Sequence, residues 1–380
     1  MKVSSVIIFI VLTSFSIASF AGHAPPVWYY SGHVYLAKNK EYFMPAPEDR
    51  RALERGATLE SGDVRAKAEA ALSNPNRIAL MLIEDGKVVF EGFNNGAGKD
   101  KTLLSYSVAK SMTSLAIGEA LCAGKITSLE DPVEKYLPEL KGNNYGSSSI
   151  KNLLHMASGV VGDEAINSPS YDMPYKAFGQ ELWQQKTSLI DAALKYGSPE
   201  EKYFDPAKQG QFFSYMNLDT SLLGMVIDSA TQVSFTEWFG NSVGKRAGMA
   251  NTFYLVKDKK NAALNFAFFS ATLDDYGRIA NYVMDSLDGK HGDCLQTYLR
   301  NATTDTLKKG NRLGSKWGHN SYGYQFRADL VDAPEGSFKM QGFDGQHVIF
   351  DPSKKRIVLG FSHKWDDDIQ DLFILWSRKP

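Results

Sequence analysis

The chain has 380 residues, 43% of them hydrophobic and 22% charged, with a formal net charge of −1. That length holds one large domain or two moderate ones, and the balance is that of an ordinary globular protein. Near-zero charge with scattered lysines and arginines gives no electrostatic case for nucleic acid or another polyanion as partner.

Residues 1–21 begin Met1-Lys2 and continue as an uncharged, mostly apolar stretch that ends in Ser19-Phe20-Ala21. A short apolar core closed by a small-x-small triplet predicts an export signal cut after Ala21, leaving a periplasmic or secreted protein. No cysteine follows the stretch, which argues against a lipid anchor, and no other segment is apolar for long enough to span a bilayer. Cys122 and Cys294 are too few for a disulfide framework; an oxidising compartment would permit a bridge between them, but the favoured reading is two unpaired small hydrophobes.

Residues 22–74 read as an irregular, aromatic and proline-containing extension, with an alanine-rich helix over 62–72; the main domain then spans 75–380. Residues 78–91 predict two strands around the Asp85-Gly86 turn. A helix rich in small residues follows Ser107 and stops near Gly124. From about 125 to 300 the pattern is mostly helical segments and long loops, with few clear strands. Residues 347–353 and 356–362 predict a second hairpin, and an apolar helix over 369–376 closes the chain. Strands at both ends with helices between them predict an α+β fold. Its antiparallel sheet is built from the N- and C-terminal segments (about 75–106 and 301–380), with a helical insert at about 107–300.

Ser107-Val108-Ala109-Lys110 carries the first chemistry. Spacing of three on a helix puts both side chains on one face, with Cβ atoms about 5–6 Å apart. A serine hydroxyl needs a neighbouring base to attack at neutral pH, and a lysine beside a helix N-terminus is one candidate. The spacing also occurs at Ser148–Lys151 and Ser242–Lys245, so it acquires weight only from its context. Downstream lie Tyr215-Met216-Asn217 and Met340-Gln341-Gly342-Phe343-Asp344-Gly345-Gln346. In an extended stretch Tyr215 and Asn217 point the same way, the phenol suited to proton transfer and the amide to holding a substrate carbonyl. The glycines of the second segment let backbone pass close to a ligand and leave N–H groups for an oxyanion. A rival nucleophile is Ser242 in Gly240-Asn241-Ser242-Val243-Gly244, which matches Gly-x-Ser-x-Gly but lacks a convincing buried strand before it. The seven histidines show no zinc-hydrolase spacing.

In this order the motifs resemble the serine β-lactamase-related family of class C β-lactamases, D,D-peptidases, esterases and 6-aminohexanoate-dimer hydrolases. Residues 128–140, 150–159 and 247–252 resemble further family segments, and coverage runs from about 75 to 376. The resemblance implies a β-lactamase/transpeptidase-like fold. Ser107 would be the acylated nucleophile, Lys110 the group that lowers its proton affinity, Tyr215 the proton shuttle and Asn217 a substrate-orienting amide. The N–H groups of Ser107 and Phe343 would form the oxyanion hole. No metal or organic cofactor is implied.

β-Lactamases and D,D-peptidases usually carry Lys-Thr-Gly where this chain has Met340-Gln341-Gly342, and Lys339 is one register step off, facing the other side of a strand. The form Gly342-Phe343-Asp344-Gly345-Gln346 is closer to the Gly-x-Gly-Gly-Gln of the nylon-oligomer hydrolase and esterase branch, although Asp344 departs from it. Gly342, Phe343 and Gln346 thus become substrate-side candidates, together with Tyr171 as that branch's additional tyrosine. The expectation is an exported serine hydrolase acting on a small-molecule amide or ester. The alternatives are a β-lactamase or D,D-peptidase, and an inert penicillin-binding-like module.

Overall fold

The computed structural model describes residues 40–160, 182, 186–200, 204–308, 318–365 and 367–380. Its strands are β1 (Lys40–Phe43), β2 (Arg77–Glu84), β3 (Lys87–Phe93), β4 (Thr102–Leu104), β5 (Phe253–Val256) and β6 (Phe269–Thr272). The C-terminal third adds β7 (Leu307–Lys308), β8 (His319–Tyr322), β9 (Arg327–Leu330), β10 (Phe338–Gly342), β11 (Gln346–Asp351) and β12 (Arg356–Ser362). An eight-stranded antiparallel sheet has the order β3-β2-β12-β11-β10-β9-β8-β7. The two ends of the chain meet along β2 and β12, as expected. Asp85 (φ 49°) and Gly86 (φ 78°) form the first hairpin turn, and these are the positive φ values that a two-residue connection matching strand twist requires.

The helices that matter for the site are α1 (Asp63–Ser73), α2 (Val108–Cys122), α3 (Ile150–Leu154), α4 (Leu189–Tyr196), α5 (Asn217–Thr231), α6 (Phe235–Phe239), α7 (Leu273–Leu287), α8 (Asp293–Thr304) and α9 (Asp368–Ser377). The apolar run of β2 alternates between two cores. Leu80 and Leu82 face α1 and α9 through Val64, Ala68, Leu372 and Phe373, while Met81 and Ile83 face the core that holds α2. A strand covered on both sides loses its polar alternation, which is why the run reads as continuously apolar. α2 is buried on every side from Val108 to Ala120, as expected of a helix with apolar or small residues all round. Packed between the large sheet and α5, it fixes its own N-terminus at the junction of the two halves.

Three expectations change. The extension is not irregular throughout: β1 pairs with β5, and α1 packs on the sheet. The middle of the chain contributes β5 and β6, which with β1 and β4 make a second, four-stranded sheet in the order β1-β5-β6-β4. These strands are three or four residues long and come from distant segments, too short for a periodicity to stand out. Cys122 and Cys294 are bonded as a disulfide. The pairing depends on α2 lying against α8, where the Ser114 and Tyr298 hydroxyls are 2.9 Å apart, and 172 residues of separation hide that adjacency. Closing so long a loop stabilises the fold by about 5 kcal/mol in the chain-entropy limit.

Candidate active site

The Ser107 turn is built by β4 and α2. Ser105 N–H donates to Phe269 O at 2.9 Å, which continues the β4–β6 pairing to the edge of the turn. Tyr106 then takes φ 43°, a left-handed conformation that costs a non-glycine residue about 1–2 kcal/mol. This reversal sends the chain directly into α2, whose first-turn bonds run from Val108, Ala109 and Lys110 back to Ser105, Tyr106 and Ser107. The Ser107 N–H has no acceptor among the described residues.

Lys110 is buried, and its Nζ donates to Ser107 Oγ at 3.1 Å and to Phe266 O at 2.8 Å. The segment bearing Phe266 is held by Asn265, whose Nδ2 donates to Thr113 Oγ1 and to Thr220 O, on α2 and α5. The Tyr215 ring centre lies 5.0 Å from Lys110 Nζ, which places the tyrosine beside the serine–lysine pair. Burial pushes this phenol up, but the positive charges of Lys110 and Arg327, with polar interactions from Ser107 and Lys110, outweigh burial and hold it below the ordinary tyrosine value. Ser107, Lys110 and Tyr215 therefore form one contiguous group. Asn217 is the first residue of α5 rather than part of a strand; it is buried, and its Oδ1 has no hydrogen-bond partner among the described residues.

β10 brings the third motif to the same place. A Cβ on Gly342 would lie 2.4 Å from Ser105 O, so only glycine lets the strand end abut the nucleophile turn. The Phe343 ring, 43% exposed, meets Tyr106 edge to face at 5.8 Å. Asp344 (φ 58°) and Gly345 (φ 84°) turn the chain back into β11. The Gln346 amide is spent inside this turn: Nε2 donates to Phe343 O (2.9 Å), Asp344 O and Ser362 O, and Oε1 accepts from Ser362 N–H. Gln346 thus braces the backbone around Phe343 instead of facing the cleft. Tyr171 lies outside the described residues.

The other two Ser-x-x-Lys copies assemble nothing. Ser242 lies in a continuous helical run after α6 and donates to Trp238 O at 2.6 Å, so the strand-turn-helix of a nucleophile elbow is absent there. Lys151 pairs with Asp305 at 2.9 Å. Lys339 turns to the outer face, where Nζ donates to Gln370 of α9 at 2.7 Å, as its register predicts. Sequence reasoning missed Arg327, whose guanidinium carbon is 5.9 Å from the Tyr215 ring centre. A single arginine at a strand start carries no signal of its own.

The Beta-lactamase family model matches residues 70–373. Among curated proteins, the chain is similar to Protein flp of Staphylococcus aureus (strain N315), 26% identical over 197 residues, covering 48% of this chain and 36% of that protein. It thus spans little more than a third of the length of that relative. It is also similar to the 6-aminohexanoate-dimer hydrolase of Paenarthrobacter ureafaciens, 20% identical over 299 residues, 76% of this chain and 73% of the relative. A Bacillus anthracis structure described as a 6-aminohexanoate-dimer hydrolase shares the fold at TM-score 0.65 and 20% identity, covering 91% of each chain.

Proposed function

The chain belongs to the β-lactamase family of serine hydrolases, and from that premise we propose that it hydrolyses a small amide or ester through an acyl-enzyme on Ser107. The observation that carries this reading is Lys110 Nζ at 3.1 Å from Ser107 Oγ, with the Tyr215 ring centre 5.0 Å from the same Nζ. As Ser107 Oγ attacks the carbonyl carbon, its proton passes to the Tyr215 oxygen, whose anionic form the charges of Lys110 and Arg327 favour. The N–H groups of Ser107 and Phe343 receive the oxyanion. Tyr215 then returns the proton to the departing nitrogen or oxygen as the acyl bond breaks. Water, deprotonated by the phenolate so left, attacks the acyl carbon, and Tyr215 passes that proton to Ser107 Oγ as the acid departs. Asn217 holds the substrate amide, and Gln346 keeps the Phe343 turn in place.

Lys339 on the outer face ranks penicillin-type substrates below linear amides and esters. The similarity to the 6-aminohexanoate-dimer hydrolase points the same way. Export is part of the proposal, supported by the apolar stretch of residues 3–21 and by a disulfide suited to an oxidising compartment. Among the described residues no helix is long and apolar enough to cross a membrane. A serine-directed phosphonate should label Ser107 and stop turnover of p-nitrophenyl esters, and Ser107→Ala should abolish both. Labelling or turnover that survives this substitution sinks the assignment.

A further inference from the structure

Gln325 lies between β8 and β9, fully buried, in a left-handed conformation (φ 65°) that is costly for any residue but glycine. Such a conformation persists where the surroundings over-determine it, and here every polar atom of the residue is committed. The Gln325 carbonyl accepts from Ser111 Oγ at 2.6 Å, on α2 and adjacent to Lys110. Its Oε1 accepts from Thr220 Oγ1 at 2.8 Å, on α5 three residues beyond Asn217. Nε2 donates to Leu153 O and Leu154 O, both at 2.9 Å, and the backbone N–H donates to Leu154 O at 3.0 Å. These carbonyls end α3, where a helix has no donors of its own left to offer. Two residues on, Met156 O accepts from Ser214 N–H at 2.7 Å and Met156 Sδ from Met216 N–H at 3.4 Å. Met156 thereby grips the chain on both sides of Tyr215.

We propose that Gln325 is a positioning residue for acyl transfer, a single buried residue that sets the separation of Lys110 from Tyr215. It touches no reacting atom. Through Ser111 it holds α2 next to the lysine; by capping α3 it fixes Met156 and so the tyrosine; the Thr220 bond ties both to α5. The role rests on the serine hydrolase reading, under which that separation governs turnover. An amide is required because the side chain accepts once and donates twice, which neither a carboxylate nor a thioether can do. Burial raises the Tyr215 phenol, and the charges of Lys110 and Arg327 more than reverse this. Their effect weakens with distance, so a looser Lys110–Tyr215 pair titrates higher.

Gln325→Met keeps length and apolar bulk and removes the amide. In the full chain, at a temperature where thermal melts show it folded, kcat for p-nitrophenyl acetate should fall about 10- to 100-fold, with an equal fall in kcat/KM. Tyr215 is followed without substrate by phenolate absorbance, as the difference between each protein and its Tyr215→Phe counterpart. Gln325→Met should move that midpoint upward. Thr220→Val, which removes only the hydroxyl, should produce smaller changes in the same directions and no further loss when added to Gln325→Met. An unchanged kcat, an unmoved Tyr215 midpoint, or losses that add in the double variant overturns the proposal. Should Gln325→Met not fold, the Tyr215 midpoint of Thr220→Val decides: an upward move supports the role and an unmoved midpoint overturns it. The absorbance titration needs no turnover, and phosphonate labelling of Ser107 in the parent chain decides the hydrolase reading, so the two fail separately.

Discussion

Ser107–Lys110 and Ser242–Lys245 have the same spacing on helical backbone and opposite surroundings. Lys110 is buried and reaches both Ser107 Oγ and a loop carbonyl. The Lys245 side chain is 57% exposed and pairs with Asp49 at 3.2 Å, an ion pair in contact with solvent that contributes little. Ser107 precedes its helix, with its N–H unclaimed, whereas Ser242 lies inside one and gives its hydroxyl proton to the carbonyl four residues back. Spacing supplies proximity. Desolvation, an orphan backbone donor and a second acid–base group come from the fold, and only the first copy has them.

The sharpest way to break this comparison is to remove each lysine in turn. Lys110→Met should lower kcat by about 10³-fold in ester hydrolysis, while Lys245→Met should leave it within assay error. Comparable losses from both would mean that spacing, not environment, makes the site. A smaller effect is expected from Gly342→Ala. The new methyl meets Ser105 O, the strand end has to back away, and a displacement of about 1 Å at the oxyanion side can cost up to about 10²-fold in kcat. An unchanged kcat would show that the Gly342 contact does not position the turn.

The mildest test applies the same lesson about burial to α5, two residues beyond Asn217. Burial pushes the Asp219 carboxyl up to about 8, although Ser158 Oγ donates to it at 2.8 Å. Burial likewise raises Asp228 to about 7. Both folded values lie above the unfolded one, so the folded state keeps protons that the unfolded chain releases, and stability falls as pH rises. Depressed histidines such as His347 act in the opposite sense, but only below their unfolded value of 6.5. Between pH 6.5 and 8 the histidines no longer offset this loss, at most about 1.4 kcal/mol per pH unit for each carboxyl, although the lowered Tyr215 phenol opposes it. Thermal melts across that window should therefore show a less negative pH slope for Asp219→Asn than for the parent chain. The same slope in both proteins would refute the assignment.

What could be read in the sequence was local. The Asp85-Gly86 turn, the small-residue helix after Ser107 and the apolar closing helix each announce themselves within a dozen residues, and the structure contains all three. Ser107, Lys110, Tyr215 and Gly342 were legible as motifs, and the fold brings them to one junction. What depends on distant segments was not legible. β1 finds β5 across two hundred residues, Cys122 finds Cys294 through helix packing, and Arg327 acquires its meaning only from the ring of Tyr215. Gln346 was placed by motif in the right turn, but its bonding within that turn required coordinates.

The Cys122–Cys294 bond joins the far end of the nucleophile helix to α8, and the loop it closes contains α3 through α7 with Tyr215 and Asn217 inside it. Cleavage of any single peptide bond within that loop leaves two polypeptides that remain covalently attached. Ser107 and Lys110 would stay on one fragment, and Gly342 and Phe343 on the other. Such a nicked protein would migrate as one species without reductant and as two with it, and its folded halves would have no route to diffuse apart.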